Sequence, residues 1–71
     1  LEDRMKEKIR AMLAERGHTQ ADLADLLGIT YQALSIKMNS HTDFKRMEIY
    51  LIMKCYELTA DELVDIFFAS N

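Results

Sequence analysis

The chain contains no proline, only two glycines and a single cysteine. Many-stranded β domains, collagens and proline-rich linkers all depend on that missing punctuation, so all are disfavoured. Cys55 has no second cysteine to pair with. A lone thiol fits a reducing compartment and leaves the fold to stand on apolar packing. No apolar run reaches the roughly 20 residues that span a bilayer, and no basic-then-apolar leader is present. A soluble, cytoplasmic protein without a membrane partner is therefore expected. The chain opens on Leu1, so we expect either a preceding segment or a natural start at Met5.

What is present is one small domain's worth of core. Seventy-one residues of 8.3 kDa, 49% of them apolar, are read as a single domain over residues 1–71. A chain this short hides only about 60–65% of its unfolded surface, so good packing or a partner must support it. The net charge of −3 at first argues against nucleic acid, but its distribution matters more than its sum. Residues 30–47 carry Lys37, Lys45 and Arg46 against Asp43 alone. Residues 48–71 carry Lys54 against Glu48, Glu57, Asp61, Glu62 and Asp65. The acid gathers toward the C-terminal end and leaves the middle of the chain basic.

Helical spacing dominates throughout, so the fold class is all-α. Met5, Ile9, Met12 and Leu13 form one amphipathic stripe, and a first helix is predicted over about 2–16, stopped by Gly17. Thr19 caps a second helix over about 20–27, with Asp22 in its first turn and Ala21, Leu23, Ala24 and Leu27 inward. Gly28 ends it, and Ile29 is expected to be a buried turn residue. Thr30 caps a third helix over about 31–38, with Ala33, Leu34 and Met38 inward. Asn39 to Asp43 is expected to be a polar loop, with Phe44 as a plug. A fourth helix is expected over about 46–56, carrying Ile49, Ile52, Met53 and Tyr56. Thr59 and Glu62 form a capping box that opens a fifth helix over about 60–69.

The informative stretch runs from Thr19 to Ser35. Two short helices are joined by a tight turn beginning at a glycine, a connection that sets helices at a steep angle of roughly 90–120°. Ala24 is the small residue at the close approach, Gly28 reverses the chain and Ile29 plugs the elbow. Leu34 then packs back on Leu23 and Leu27. In Thr19, Gln20, Leu23, Ala24, Leu27, Gly28, Ile29, Thr30, Leu34 and Ser35 the sequence resembles the helix-turn-helix of the phage repressor/Cro-like family of transcriptional regulators. The resemblance covers nearly the whole chain and implies a five-helix, lambda-repressor-like DNA-binding domain with the motif at helices 2 and 3. It departs from the family pattern at Lys37, often apolar there, which leaves Met38 as the core contact. It departs again at Lys45 and Arg46, where a serine or threonine cap is common.

The resemblance implies groove reading. A helix fits the roughly 12 Å major groove, and Tyr31, Gln32, Ser35 and Ile36 are expected to face the bases. Gln32 offers a donor and an acceptor to adenine, and no arginine is available for guanine, so a lean toward A·T pairs is expected. Thr19, Gln20, Lys37, Asn39, Ser40, Lys45 and Arg46, with His41, are expected at phosphates. Other roles stay open. Gln20 is also suited to bridging helices 2 and 3, Tyr31 to packing, Ile36 to an interface or the core, and Lys45 and Arg46 to a solvated loop.

Nothing in the sequence points to an enzyme, a cofactor, a metal or a small-molecule substrate. His18 and His41 lack metal-ligand spacing and are expected to be surface residues. Cys55 is expected to be half-buried. Phe67 and Phe68 are adjacent, so one of them is expected to join Val64 in an exposed apolar patch, as at an interface. The implied partner is double-stranded operator DNA in a bacterial or phage-infected cell, bound by a homodimer whose recognition helices lie about 34 Å apart. The resemblance makes repression the expected effect. The competing reading is a protein-interaction module, either an antirepressor-like adaptor or an antitoxin, on the same scaffold.

Overall fold

The computed structural model describes residues 4–40 and 44–68, with Ser40 described by its backbone alone. Five helices follow one another: α1 (Met5–Glu15), α2 (Gln20–Leu27), α3 (Tyr31–Ser40), α4 (Arg46–Tyr56) and α5 (Ala60–Phe67), with no strand among the described residues. The α1 helix packs on α2, α3 and α5, and α2 packs on α3 and α4. The Cα radius of gyration is 11.1 Å.

The apolar stripes meet in one core. Ile9, Leu23, Leu34, Met38 and Ile52 are fully enclosed, and Met5, Met12, Leu13, Ala24, Tyr56, Leu58 and Ile66 complete the cluster. Leu27, Ile29, Phe44 and Phe67 pack on its edge. Phe44 acts as the expected plug, with its ring edge-on to Phe67 at 5.4 Å between centroids.

Three helices end in the same way. After α1, α2 and α4 the chain turns left-handed at Gly17 (φ 71°), Gly28 (φ 71°) and Glu57 (φ 55°). The residue beyond each turn then donates its N–H five residues back: His18 to Leu13, Ile29 to Ala24, and Leu58 to Met53. This closure satisfies carbonyls the helix leaves open and seats an apolar residue, Ile29 or Leu58, against the core. Glycine reaches the left-handed region without penalty, but Glu57 does not.

Helix starts are equally local. Thr19 and Thr59 accept the N–H of Asp22 and Glu62 and receive those carboxylates on their own N–H groups. Thr30 accepts the N–H of Ala33 at 3.0 Å. The α4 helix has no hydroxyl cap; its Glu48 carboxylate accepts the Lys45 N–H at 2.8 Å instead.

The structure corrects several expectations. Asn39 and Ser40 belong to α3 rather than to a loop. Asn39 donates its amide to the Ser35 carbonyl at 3.0 Å, and its own oxygen takes a bond from Lys6 of α1, so the helix is held for another half-turn. Cys55 is exposed, not half-buried, and Ala21 is exposed rather than inward. The α1 helix begins at Met5 and α5 ends at Phe67. Residues 2 and 3, expected to start the first helix, and His41, expected at a phosphate, fall outside the described residues, as does the whole stretch 41–43.

Candidate functional site

The face in question is built by α2, the Gly28 turn and α3. Leu23 and Ala24 of α2 bury against Leu34 and Met38 of α3. With Leu34 and Met38 inward, the 100° step of a helix places Gln32 and Ile36 on the far side. Gln32 is exposed, Ile36 is 64% exposed, and Tyr31 at the start of α3 is 53% exposed. These three stand where the sequence reading put them.

Ser35 occupies the edge of that face. It is half-buried and receives the amide nitrogen of Gln20 at 2.8 Å. Gln20 therefore bridges α2 and α3, one of the two roles open to it. The bridge continues along the same edge through the Ser35 carbonyl to Asn39 and from Asn39 to Lys6. Four polar residues from three helices thus buttress α3 from one side.

Lys37 departs from the outward placement expected of it. Its ammonium lies 3.2 Å from Glu48 Oε1, with the lysine side chain 15% exposed. The same oxygen accepts the Lys45 N–H. One carboxylate thus ties the flank of α3 to the start of α4, while the side chains of Lys45 and Arg46 remain exposed beside it. Glu48, 8% exposed, was not anticipated. Its position three residues after Lys45 is capping-box spacing, a signal that was present.

The start of α2 carries its own anion. Both the backbone N–H and the hydroxyl of Thr19 donate to the Asp22 carboxylate, at 2.8 and 3.1 Å. The backbone bond, followed by the hydroxyl bond, holds the Asp22 carboxyl below its ordinary value. The donors of Thr19 are thus already engaged, and an incoming phosphate there meets a negative neighbour.

A second polar cluster, also unanticipated, ties the α1–α2 turn to the end of α4. Arg16 donates from Nε and Nη2 to the Tyr56 carbonyl at 3.2 and 3.1 Å, and its guanidinium lies 5.9 Å from the Tyr56 ring centroid. Positive charge at a helix C-terminus is favourable. His18 Nδ1 lies 2.9 Å from the Tyr56 hydroxyl. Burial pushes that phenol above its ordinary value. No spacing rule links residues 16, 18 and 56, so only the packed structure reveals this clasp.

Among the described residues no group of three or more His, Cys, Asp or Glu is placed to hold a metal ion. No described helix is long and apolar enough to cross a membrane. An open groove of about 200 Å3 between α1 and α5 is smaller than the roughly 300–1,000 Å3 of small-molecule sites. The Lys8–Asp65 ion pair, at 3.1 Å, lies on its rim. Val64 of α5 and Phe68, just past its end, are exposed one turn apart, while Phe67 turns in toward Phe44. Comparison of the chain with protein-family models, curated proteins and solved structures yields no match.

Proposed function

We propose that this chain is a sequence-specific DNA-binding regulator of transcription, a phage or prophage repressor that acts by occupying an operator. In this reading α2 and α3 form the helix-turn-helix of a lambda-repressor-like domain, and α3 enters the major groove. One observation carries the reading. The α3 helix buries Leu34 and Met38 and holds Gln32 and Ile36 in solvent on its other side, with Tyr31 exposed at its first residue, directly after the left-handed Gly28 turn. The resemblance of residues 19–35 to the phage repressor/Cro-like motif supports it.

The roles follow from chemistry. Gln32 presents a donor and an acceptor to adenine, while Tyr31 and Ile36 present apolar surface to a thymine methyl. Ser35, held by Gln20, keeps its hydroxyl at the edge of the contact. Lys45 and Arg46 meet phosphates, which position the protein without reading sequence. The mechanism has no catalytic step and no cofactor. Two copies of the chain on a two-fold operator complete the assembly.

Fluorescence anisotropy on a pool of randomised duplexes, followed by sequencing of the bound fraction, tests the reading. Affinity is expected to fall steeply between about 50 and 200 mM salt as counterions are released. Gln32→Ala is expected to relax selectivity at one position, by about 1–3 kcal/mol, with the fold unchanged. Unaltered selectivity would remove α3 from the groove.

A protein-interaction module is the second reading. The net charge of −3, the Asp22 carboxylate at the start of α2 and the pairing of Lys37 with Glu48 favour it. A salt-independent response, or no duplex binding, would select it.

A further inference from the structure

We propose that Lys6, on α1, supplies the phosphate contact at the exit of α3, in place of the lysine that α3 itself carries; this rests on the DNA-binding reading above. Lys37 is the only cation in the α3 sequence. It is enclosed against Glu48, and swinging it outward would strand a carboxylate that is itself buried. The recognition face therefore needs its positive charge from another element.

The edge network brings one. Lys6 Nζ lies 3.1 Å from Asn39 Oδ1, in an exposed bond. Asn39 has both ends of its amide engaged, the nitrogen on the Ser35 carbonyl and the oxygen on Lys6. It acts as a strut. An ammonium has three donors, and Asn39 takes one, leaving the others for an oxygen from outside. Because the strut already fixes the lysine beside α3, a phosphate contact there loses less side-chain freedom than one made by a free surface lysine.

The distances suit a groove. From Gln32 to Asn39 the helix rises about 10 Å at 1.5 Å per residue, close to the roughly 12 Å width of the major groove. With Gln32 at the bases, Asn39 and the lysine it holds reach the groove wall, where phosphates run. Lys8, two residues along, projects from the opposite side of α1 and is taken by the Asp65 carboxylate and carbonyl of α5. The two lysines share a helix and a charge but differ in placement, so one controls for the other.

The test uses the full chain on a labelled duplex across about 50 to 200 mM salt. Lys6→Gln retains an amide that donates to Asn39 while removing the charge. It is expected to lower the slope of log affinity against log salt by about 0.9, and to weaken binding to all duplexes alike, several-fold. Lys6→Arg keeps the slope, as do Lys8→Met and Lys37→Met. Circular dichroism of Lys6→Gln is expected to match wild type. A Lys6→Gln variant with the wild-type slope overturns the proposal while leaving DNA binding intact. So does a binding loss in Lys6→Met that Lys6→Gln repairs, since the role would then be the strut and not the charge. A wild-type chain without salt-dependent duplex binding overturns the DNA reading, and this proposal with it.

Discussion

Lys37 and Glu48 decide more than their charges suggest. Each is nearly enclosed, and each is tolerable in that position because the other is there. Removing one partner of such a pair leaves an ion without compensation, whereas replacing both with apolar groups is often close to neutral. Lys37→Met is therefore expected to destabilise the fold by about 2 kcal/mol, read as a lower urea midpoint with an unchanged slope. The double variant Lys37→Met, Glu48→Gln, which removes both charges while keeping an oxygen to accept the Lys45 N–H, is expected to regain part of that loss. At this scale the sequence was only partly legible. Gln32 and Ile36 could be placed outward because helical phase alone decides it. Lys37 could not, because its direction is set by a carboxylate on another helix that reads, in isolation, as one more solvated charge. Cys55 was misplaced for a related reason: it borders the stripe of α4 on a side that is exposed among the described residues.

Among the elements, α2 and α4 begin and end where the sequence predicts them, because their start and stop signals are short-range: Thr19 and Gly28 for one, the run from Ile49 to Tyr56 for the other. The α3 helix runs past its predicted end because the tether on Asn39 comes from α1, 33 residues away. Two helix ends also give tests. Glu57 holds a left-handed conformation that glycine adopts freely, so Glu57→Gly is expected to raise stability by about 1 kcal/mol, measured as a shift in Tm. At the start of α2, the Asp22 carboxyl lies below its ordinary 3.8 when folded, chiefly through the Thr19 N–H. A depressed folded value means the native state favours the ionised form. The stabilisation is complete above the unfolded value and is lost as pH falls through the folded one. Asp22→Asn is expected to flatten the acid limb of a Tm-against-pH curve and to leave its neutral limb shifted but parallel.

For the molecule as a whole, the proposed DNA-binding role asks how a body of 29 × 24 × 22 Å would meet an operator. Recognition helices on a two-fold site stand about 34 Å apart, farther than one copy extends in any direction. Two copies of this size about a two-fold axis are large enough to bring equivalent helices to that separation. The chain offers a surface for the contact. Val64 of α5 and Phe68, the residue that follows that helix, lie one turn apart, 52% and 63% exposed. Fully burying a Val or Phe side chain contributes about 1.5–3 kcal/mol, so two such residues on each copy are enough to bias association without making it permanent. If a second copy covers them, Phe68→Asp is expected to convert a concentration-dependent dimer into a monomer by sedimentation equilibrium. The variant should still bind a duplex carrying one half-site and should lose its cooperative preference for two. Because Phe68 lies outside the core cluster, its melting temperature at dilute concentration should stay near that of wild type. A monomeric wild type would leave these residues for a different chain, as the interaction-module reading requires.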